Sequence, residues 1–315
     1  MTAQTLHQPL TCLTTGQSIH LTEPLATSGE GTVWRTHSDR LLAKLYNHPT
    51  AQRIQKLDVM VANPPQDPNE ALGHISFAWP QSLLVNHQGQ CLGFLMPRIA
   101  NSVELINVYN PHQRHKQMPL FNWLYLHTTA MNLASIVWAI HEAGYVLGDI
   151  KPQNILVDKR ALPSLIDTDS FQVRHPTTDQ IFPCLVGTEG FTPPELFGQE
   201  LSQVIQSDVH DRFRLGVMVY LLLFGDHPFK GKWIGGGDSP DPNEFIRQGW
   251  WPYGSQNLVH PGPLTIPLLI VHPAIQDAFL RCFNPGHQNP ELRPSAQEWV
   301  GILQRAIADL KQCQR

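Results

Sequence analysis

The stretch from Gly144 to Asp169, GYVLGDIKPQNILVDKRALPSLIDTD, places Asp149, Lys151 and Asn154 at D-x-K-x-x-N spacing, followed after a short apolar strand, SLI, by a further acid, Asp167. These are the residue types that phosphoryl transfer needs. One carboxylate accepts the proton of an attacking hydroxyl, a lysine neutralises charge on the transferring group, and an amide and a second carboxylate hold magnesium.

Such groups act only if rigid elements position them. From Ser18 to Tyr46 apolar and polar residues alternate between turn signals (SIHLTEPLA, SGEG, TVWRT, HSDR, LLAKLY), the period of three antiparallel strands. The third strand carries Lys44. A helix is expected over Thr50 to Ala62, with Ile54, Leu57 and Val61 on one face and a stop at Asn63-Pro64-Pro65. Ile75 to Ile99 reads as two more strands about the His87-Gln88-Gly89 turn. A polar linker around Asn110 to Pro119 leads into a long, largely buried helix over Leu120 to Ala143, which delivers His141 and then the Asp149 loop. His141 is expected to be a packed helix-end histidine bonded to backbone. Further buried or amphipathic helices are expected over Asp211 to Phe224, Ala274 to Phe283 and Ser295 to Lys311. From Gly225 to Pro273 the composition shifts to Gly, Pro, Trp and His; Gly235-Gly236-Gly237 reads as a flexible loop, and Trp250, Trp251 and Tyr253 as packed rather than stacking bases.

Taken in order, these motifs resemble the protein kinase family, and the resemblance covers almost the whole chain. Asp149, Lys151 and Asn154 match its catalytic loop, and Asp167 its metal-binding Asp, thirteen residues after Asn154. Aligning Val33 with the valine of the family's G-x-G-x-x-G-x-V loop puts Gly31 on the third glycine and Ala26 and Ser28 on the first two. A second register takes Gly29 and Gly31 as the first two glycines. The first keeps the valine, which in the family packs on the adenine ring. Lys44 in Leu-Ala-Lys matches the lysine that binds the α and β phosphates, and Phe94-Leu95-Met96-Pro97 resembles the hinge, where Met96 backbone groups would read the adenine edge. Gly187 to Glu195 matches G-T-x-x-Y-x-A-P-E, which implies an ion pair from Glu195 to Arg293 of Arg-Pro-Ser. Asp211 matches the acid that braces the catalytic-loop backbone. Thr177, Thr178 and Thr188 are possible phosphate acceptors, Thr188 being better explained structurally.

The chain departs from the family in three places. Leu147-Gly148 stands where His-Arg is usual, and Asp167-Thr168-Asp169 where Asp-Phe-Gly is usual. The helix after Lys44 should supply a Glu, yet no Glu lies between Ala51 and Asn69; Gln55 or Lys56 falls near the expected position, and Asp58 is the helix's one acid. Either another acid holds Lys44 or the ion pair is missing. Asp169 reads as a second metal ligand or as a cap of the next turn.

A chain of 315 residues, 42% hydrophobic and 15% charged, can bury two modest cores. The expected fold is α+β and bilobal, protein kinase-like: residues 1–98 form an N-lobe of antiparallel sheet plus one helix, and 99–315 a mainly helical C-lobe. A net charge of -4 gives no general reason to bind nucleic acid or an anionic membrane. Five scattered cysteines, Cys12, Cys91, Cys184, Cys282 and Cys313, suggest neither a disulfide framework nor a zinc site, and with no signal or spanning segment the expected setting is a reducing cytoplasm.

Among kinases, Leu-Gly-Asp, Asp-Thr-Asp-Ser-Phe-Gln and His-Asp-Arg-Phe together resemble the bacterial group associated with tellurium-resistance and stress operons. The resemblance implies a serine/threonine protein kinase able to autophosphorylate, using ATP with Mg2+, or Mn2+ in its place, and a protein substrate. The alternative is a nucleotide-binding pseudokinase that acts as a signalling or scaffold module. The complete Gly187 to Glu195 segment argues for a protein rather than a small-molecule substrate.

Overall fold

A computed structural model describes residues 9–256 and 258–311. The chain divides into two compact units. One runs to Ala100 and takes in Ser164–Asp169 and Val173–Phe182; the other comprises Asn101–Pro163, Ser170–Gln172 and the chain from Pro183 onward.

The first unit is built on an antiparallel sheet of seven strands among the described residues: β1 (Leu10–Cys12), β2 (Ser18–Ile19), β3 (Leu21–Thr27), β4 (Gly31–Thr36), β5 (Leu41–Tyr46), β6 (Ser82–Val85) and β7 (Cys91–Pro97), in the order β2-β1-β6-β7-β5-β4-β3. The period of two divides β5 between two apolar layers. Ala43 and Leu45 pack with Leu10, Cys12, Ile19, Leu84 and Leu95. Leu42 and Tyr46 pack with Leu83, Phe94, Met96 and Leu57 of α1 (Ala51–Ala62). Lys44 shares the second face.

The α1 helix starts where the Thr50 hydroxyl accepts the Arg53 amide at 3.2 Å, and it ends at Asn63 ahead of the two prolines. The expected first strand of the Ile75 to Ile99 pair starts later than its apolar pattern suggests, at Ser82. Residues before it pair elsewhere: Ala78 N–H donates to Leu165 O at 2.8 Å, and Leu165 N–H donates to Ser76 O at 2.8 Å. That pairing ties Leu165, and therefore Asp167, to the same unit as Lys44.

The second unit contains α2 (Leu105–Tyr109), α3 (Pro111–Gln117), α4 (Trp123–Glu142), α5 (Asp208–Phe224), α6 (Pro242–Gln248), α7 (Pro273–Phe283), α8 (Pro285–Gln288) and α9 (Ala296–Asp309). A two-strand ladder joins β8 (Ser102–Glu104) to β9 (Ile155–Asp158). α4 packs against α5 and α9, burying Leu126, Ala130, Leu133, Ile136, Val137 and Ile140. The linker expected around Asn110 to Pro119 is instead largely helical. Asn110 Oδ1 accepts the amides of His112 and Gln113, and Pro111 is pre-set for a first helical turn. No helix among the described residues is long and apolar enough to cross a membrane. Cys12, Cys184 and Cys282 are buried and Cys91 is half-buried, and Cys313 lies outside the described residues.

Candidate functional site

Lys44 stands opposite Val33 of β4 and is 6% exposed. Its Nζ donates to Asp167 Oδ1 and to Asp169 Oδ1, both at 2.7 Å, and the Tyr46 hydroxyl donates to Asp169 Oδ2 at 2.8 Å. The acid missing from α1 is therefore supplied by the segment after Ile166. Both Asp169 oxygens are engaged inside the unit, Oδ1 by Lys44 and Oδ2 by Tyr46.

Asp167 has φ 60, a left-handed conformation that is uncommon for a residue other than glycine. The next residue secures the turn, since Thr168 Oγ1 donates to Ala78 O at 2.9 Å. The side chains differ in access to solvent, 37% for Asp167 and 5% for Asp169. Burial pulls the Lys44 pKa down, but the charges of Asp169 and Asp167 outweigh it and hold the pKa above its usual value. Burial pushes Asp169 up, but the Lys44 charge and the hydrogen bonds from Lys44 and Tyr46 hold it below the usual carboxylate range. In Asp167 burial prevails over Lys44, and its pKa is raised.

The β3–β4 hairpin closes on itself. Ser28 N–H donates to Gly31 O at 2.9 Å, and Ser28 Oγ accepts the amides of Glu30 and Gly31 at 3.3 and 3.4 Å. Gly31 has a packing reason to be glycine, because a Cβ there would run into the Leu45 carbonyl, whereas one on Gly29 would meet nothing. Val33 and Met96 are brought together in one apolar cluster with Leu42 and Ile166. The β6–β7 ladder ends at Ser82 opposite Leu95, while on the other side of β7 Met96 still pairs with Leu42 of β5.

In the second unit, the loop carrying Asp149 is fixed by Asp211 at the start of α5. The Asp211 carboxylate accepts the amide of Leu147 at 2.7 Å and of Gly148 at 3.0 Å, together with Arg214 Nη1 at 3.0 Å and His141 Nε2 at 3.1 Å. Burial would raise its pKa, but the His141 hydrogen bond and the Arg214 charge hold it below the usual range. His141 thus bonds a carboxylate rather than backbone, because Asp211 lies against the end of α4. Arg214 also donates to Gln206 Oε1 at 2.9 Å, and Gln206 exchanges two hydrogen bonds with Gln172, at 2.7 and 2.8 Å.

Asp149 is 5% exposed. Its Oδ2 accepts Lys151 Nζ at 3.0 Å, and its Oδ1 is buried with no hydrogen-bond partner among the described residues. Asn154 closes a short 3-10 turn, its amide donating to Lys151 O at 3.0 Å, with its side chain partly exposed. Gly148 has φ 74, and a Cβ on it would stand 2.5 Å from that of Cys184. The expected Glu195–Arg293 pair is present and bidentate, at 2.6 and 2.8 Å.

The structure therefore joins Lys44 with Asp167 and Val33 with Met96 in the first unit, and Asp149 with Lys151 in the second. Among the described residues no hydrogen bond joins Ser28 or Gly29 to the Lys44 cluster. Sequence reasoning missed Tyr46 and Arg214. Tyr46 could have been found from its position, two residues beyond Lys44 on one strand face, and Arg214 from its place one helical turn past Asp211. No group of three or more metal-ligating side chains occurs among the described residues. A carboxylate and an amide nonetheless suit Mg2+, which takes most of its remaining ligands from substrate phosphates and water.

A family model described as "Protein kinase domain" matches residues 97–242. The chain is 30% identical over 309 residues to "Protein kinase YegI" of Escherichia coli (strain K12), across 95% of this chain and 46% of that protein. It is 32% identical over 99 residues to "Serine/threonine-protein kinase 16" of Homo sapiens, across 29% of this chain and 32% of that one. The chain thus spans about half the length of its bacterial relative. Among solved structures it resembles the "ROP18 kinase domain in complex with AMP-PNP and sucrose", with TM-score 0.57 and 18% identity over 96% of this chain and 86% of that one. It also resembles ROP2 from Toxoplasma gondii, described as "a virulence factor with a protein-kinase fold and no enzymatic activity", with TM-score 0.59 and 14% identity over 96% and 84%.

Proposed function

Starting from a chain that is protein kinase-like in sequence and in fold, we propose that it transfers the γ-phosphoryl group of ATP to a serine or threonine hydroxyl of a protein. The observation that carries this reading is the state of Asp149: a buried carboxylate with one oxygen held by Lys151 and the other without a partner among the described residues, on a loop whose amides are braced by Asp211. A free, oriented acceptor is what a hydroxyl nucleophile needs.

In this reading Asp149 accepts the hydroxyl proton as the new bond from oxygen to the γ phosphorus forms. The bond from that phosphorus to the β–γ bridging oxygen breaks, and ADP departs. Lys151 neutralises charge on the transferring group, and Lys44 binds the α and β phosphates. Val33 and Met96 offer apolar surface to the base, Met96 backbone groups read its edge, and the Ser28–Gly31 hairpin covers the phosphates. Asn154 and Asp167 are the residues that would hold Mg2+, or Mn2+ in its place. When bound, the cation neutralises charge on the phosphate oxygens. The greater exposure of the Asp167 side chain, 37% against 5% for Asp169, supports its part in that assignment.

One observation favours a second reading, a pseudokinase that binds nucleotide without transfer: Lys44 is already held by two carboxylates. Purified protein incubated with labelled ATP and Mg2+ separates the two. Transfer that disappears in Asp149→Asn supports the kinase; nucleotide binding without transfer to itself or to generic protein substrates supports the pseudokinase.

A further inference from the structure

We infer that Asp169 is the positioning residue for Lys44, taking over with Tyr46 the task that the resemblance assigns to a helix glutamate, so that Asp167 is left to the nucleotide's metal. This inference rests on the nucleotide-binding part of the proposed function.

Four observations carry it. Asp169 and Asp167 contact Lys44 Nζ at the same 2.7 Å, so distance does not distinguish them. Access does: the Asp169 side chain is 5% exposed against 37% for Asp167. The second oxygen of Asp169 is committed to the Tyr46 hydroxyl at 2.8 Å, which fixes the carboxylate's rotation and leaves Oδ1 pointed at the lysine. Lys44 and Tyr46 both project from the same face of β5, so one strand sets the cation and the group that orients its acid.

Both acids that contact Lys44 come from the segment after Ile166. Asp169 is two residues from Asp167, so a single turn, entered through the left-handed Asp167 and held by Thr168 on Ala78, sets both the lysine's partner and the metal-facing carboxylate. Lys44 then keeps a partner when Asp167 is drawn to a cation. Its placement does not require α1 to move.

A double-mutant cycle tests this. Affinity for a non-hydrolysable ATP analogue is measured in EDTA for the parent, Asp169→Asn, Lys44→Met and the double variant. The expected result is a change of about fivefold or more from Asp169→Asn in the presence of Lys44, and of less than about twofold in the Lys44→Met background. An acid with a merely structural role would produce the same change in both backgrounds, which would overturn the inference alone. If Asp169→Asn does not fold, Tyr46→Phe replaces it in the cycle, with about threefold expected in the presence of Lys44 and none without it. A parent chain that binds no nucleotide would overturn the proposed function and this inference together. In an active parent, Asp169→Asn should lower kcat more than it raises KM for ATP and leave the half-saturating Mg2+ concentration within about twofold, whereas Asp167→Asn shifts it by about tenfold or more. A shifted Mg2+ requirement in Asp169→Asn would count against the division of labour.

Discussion

Gly148 packs so closely on Cys184 that a Cβ added to it would stand 2.5 Å from the cysteine's Cβ and 2.6 Å from its sulfur. The same glycine has φ 74, which L side chains rarely adopt. Glycine thus occupies the position before Asp149 for two independent reasons. Gly148→Ala should destabilise the chain by about 2–4 kcal/mol, from backbone strain and overpacking together, and should lower transfer more than nucleotide affinity. Urea unfolding and steady-state kinetics check both parts. Gly148→Arg, which puts the family's usual residue there, should be more damaging still.

Arg293 is fully buried and donates to Glu195 with two nitrogens, while its other hydrogen bonds go to the carbonyls of Gly286 and Val209. Removing it strands a carboxylate and two acceptors. Arg293→Leu should cost about 3–5 kcal/mol, read from the urea midpoint. Arg293→Lys should recover little of that loss, since an ammonium cannot reproduce the bidentate geometry.

Asp211 holds the Asp149 loop through two amides and is itself neutralised by Arg214. Asp211→Asn keeps one acceptor oxygen but loses the charge that compensates a buried guanidinium. Transfer should fall by about tenfold or more, with ATP affinity changed by less than about threefold. A parallel loss of both would place Asp211 in general stability rather than in the loop.

The tautomer of His227 is set by its contacts: Nε2 donates to Gly190 O at 2.8 Å, and Nδ1 accepts the Phe229 amide at 3.3 Å. Burial, only partly offset by the Gly190 hydrogen bond, pulls its pKa from 6.5 to about 4. Burial lowers His127 and His210 as well. With the folded pKa below the unfolded one, the unfolded chain binds the extra proton. The His227 contribution is therefore fully present above about pH 6.5 and is lost as pH falls toward 4, at up to about 1.4 kcal/mol per pH unit, and His127 and His210 act in the same direction. His227→Gln should flatten the dependence of melting temperature on pH over that window without abolishing it. An unchanged slope would contradict the assignment.

The parts of the fold legible in the sequence are those whose signals are local or carried by motif spacing. Thr50 and the Asn63-Pro64-Pro65 stop bound α1 within a residue of expectation. The Glu195–Arg293 pair and the Asp211 brace are present as the resemblance of their motifs to the protein kinase family implies. The Asn110-Pro111 start of α3 was legible too, as a side-chain cap followed by a proline, but the polar residues after it hid the helix.

What stayed hidden depended on distant approach. Nothing local shows that Ala78 pairs with Leu165, or that Asp167 turns the chain through a left-handed residue so that Asp169 reaches Lys44. The Lys44 cluster was half legible for that reason. Its lysine and Asp167 have motif positions, whereas Asp169 and Tyr46 acquire their roles only when strand and segment meet.

Labelled ATP with Mg2+ tests whether Asp149 is the base of a phosphoryl transfer. Parent, Asp149→Asn and Asp167→Asn are scored for label on protein and for nucleotide bound. Label is expected on the parent, with a loss of about 100-fold or more in both variants and ATP affinity in Asp149→Asn within about threefold of the parent. Label transferred by Asp149→Asn at the parent's rate would contradict that role.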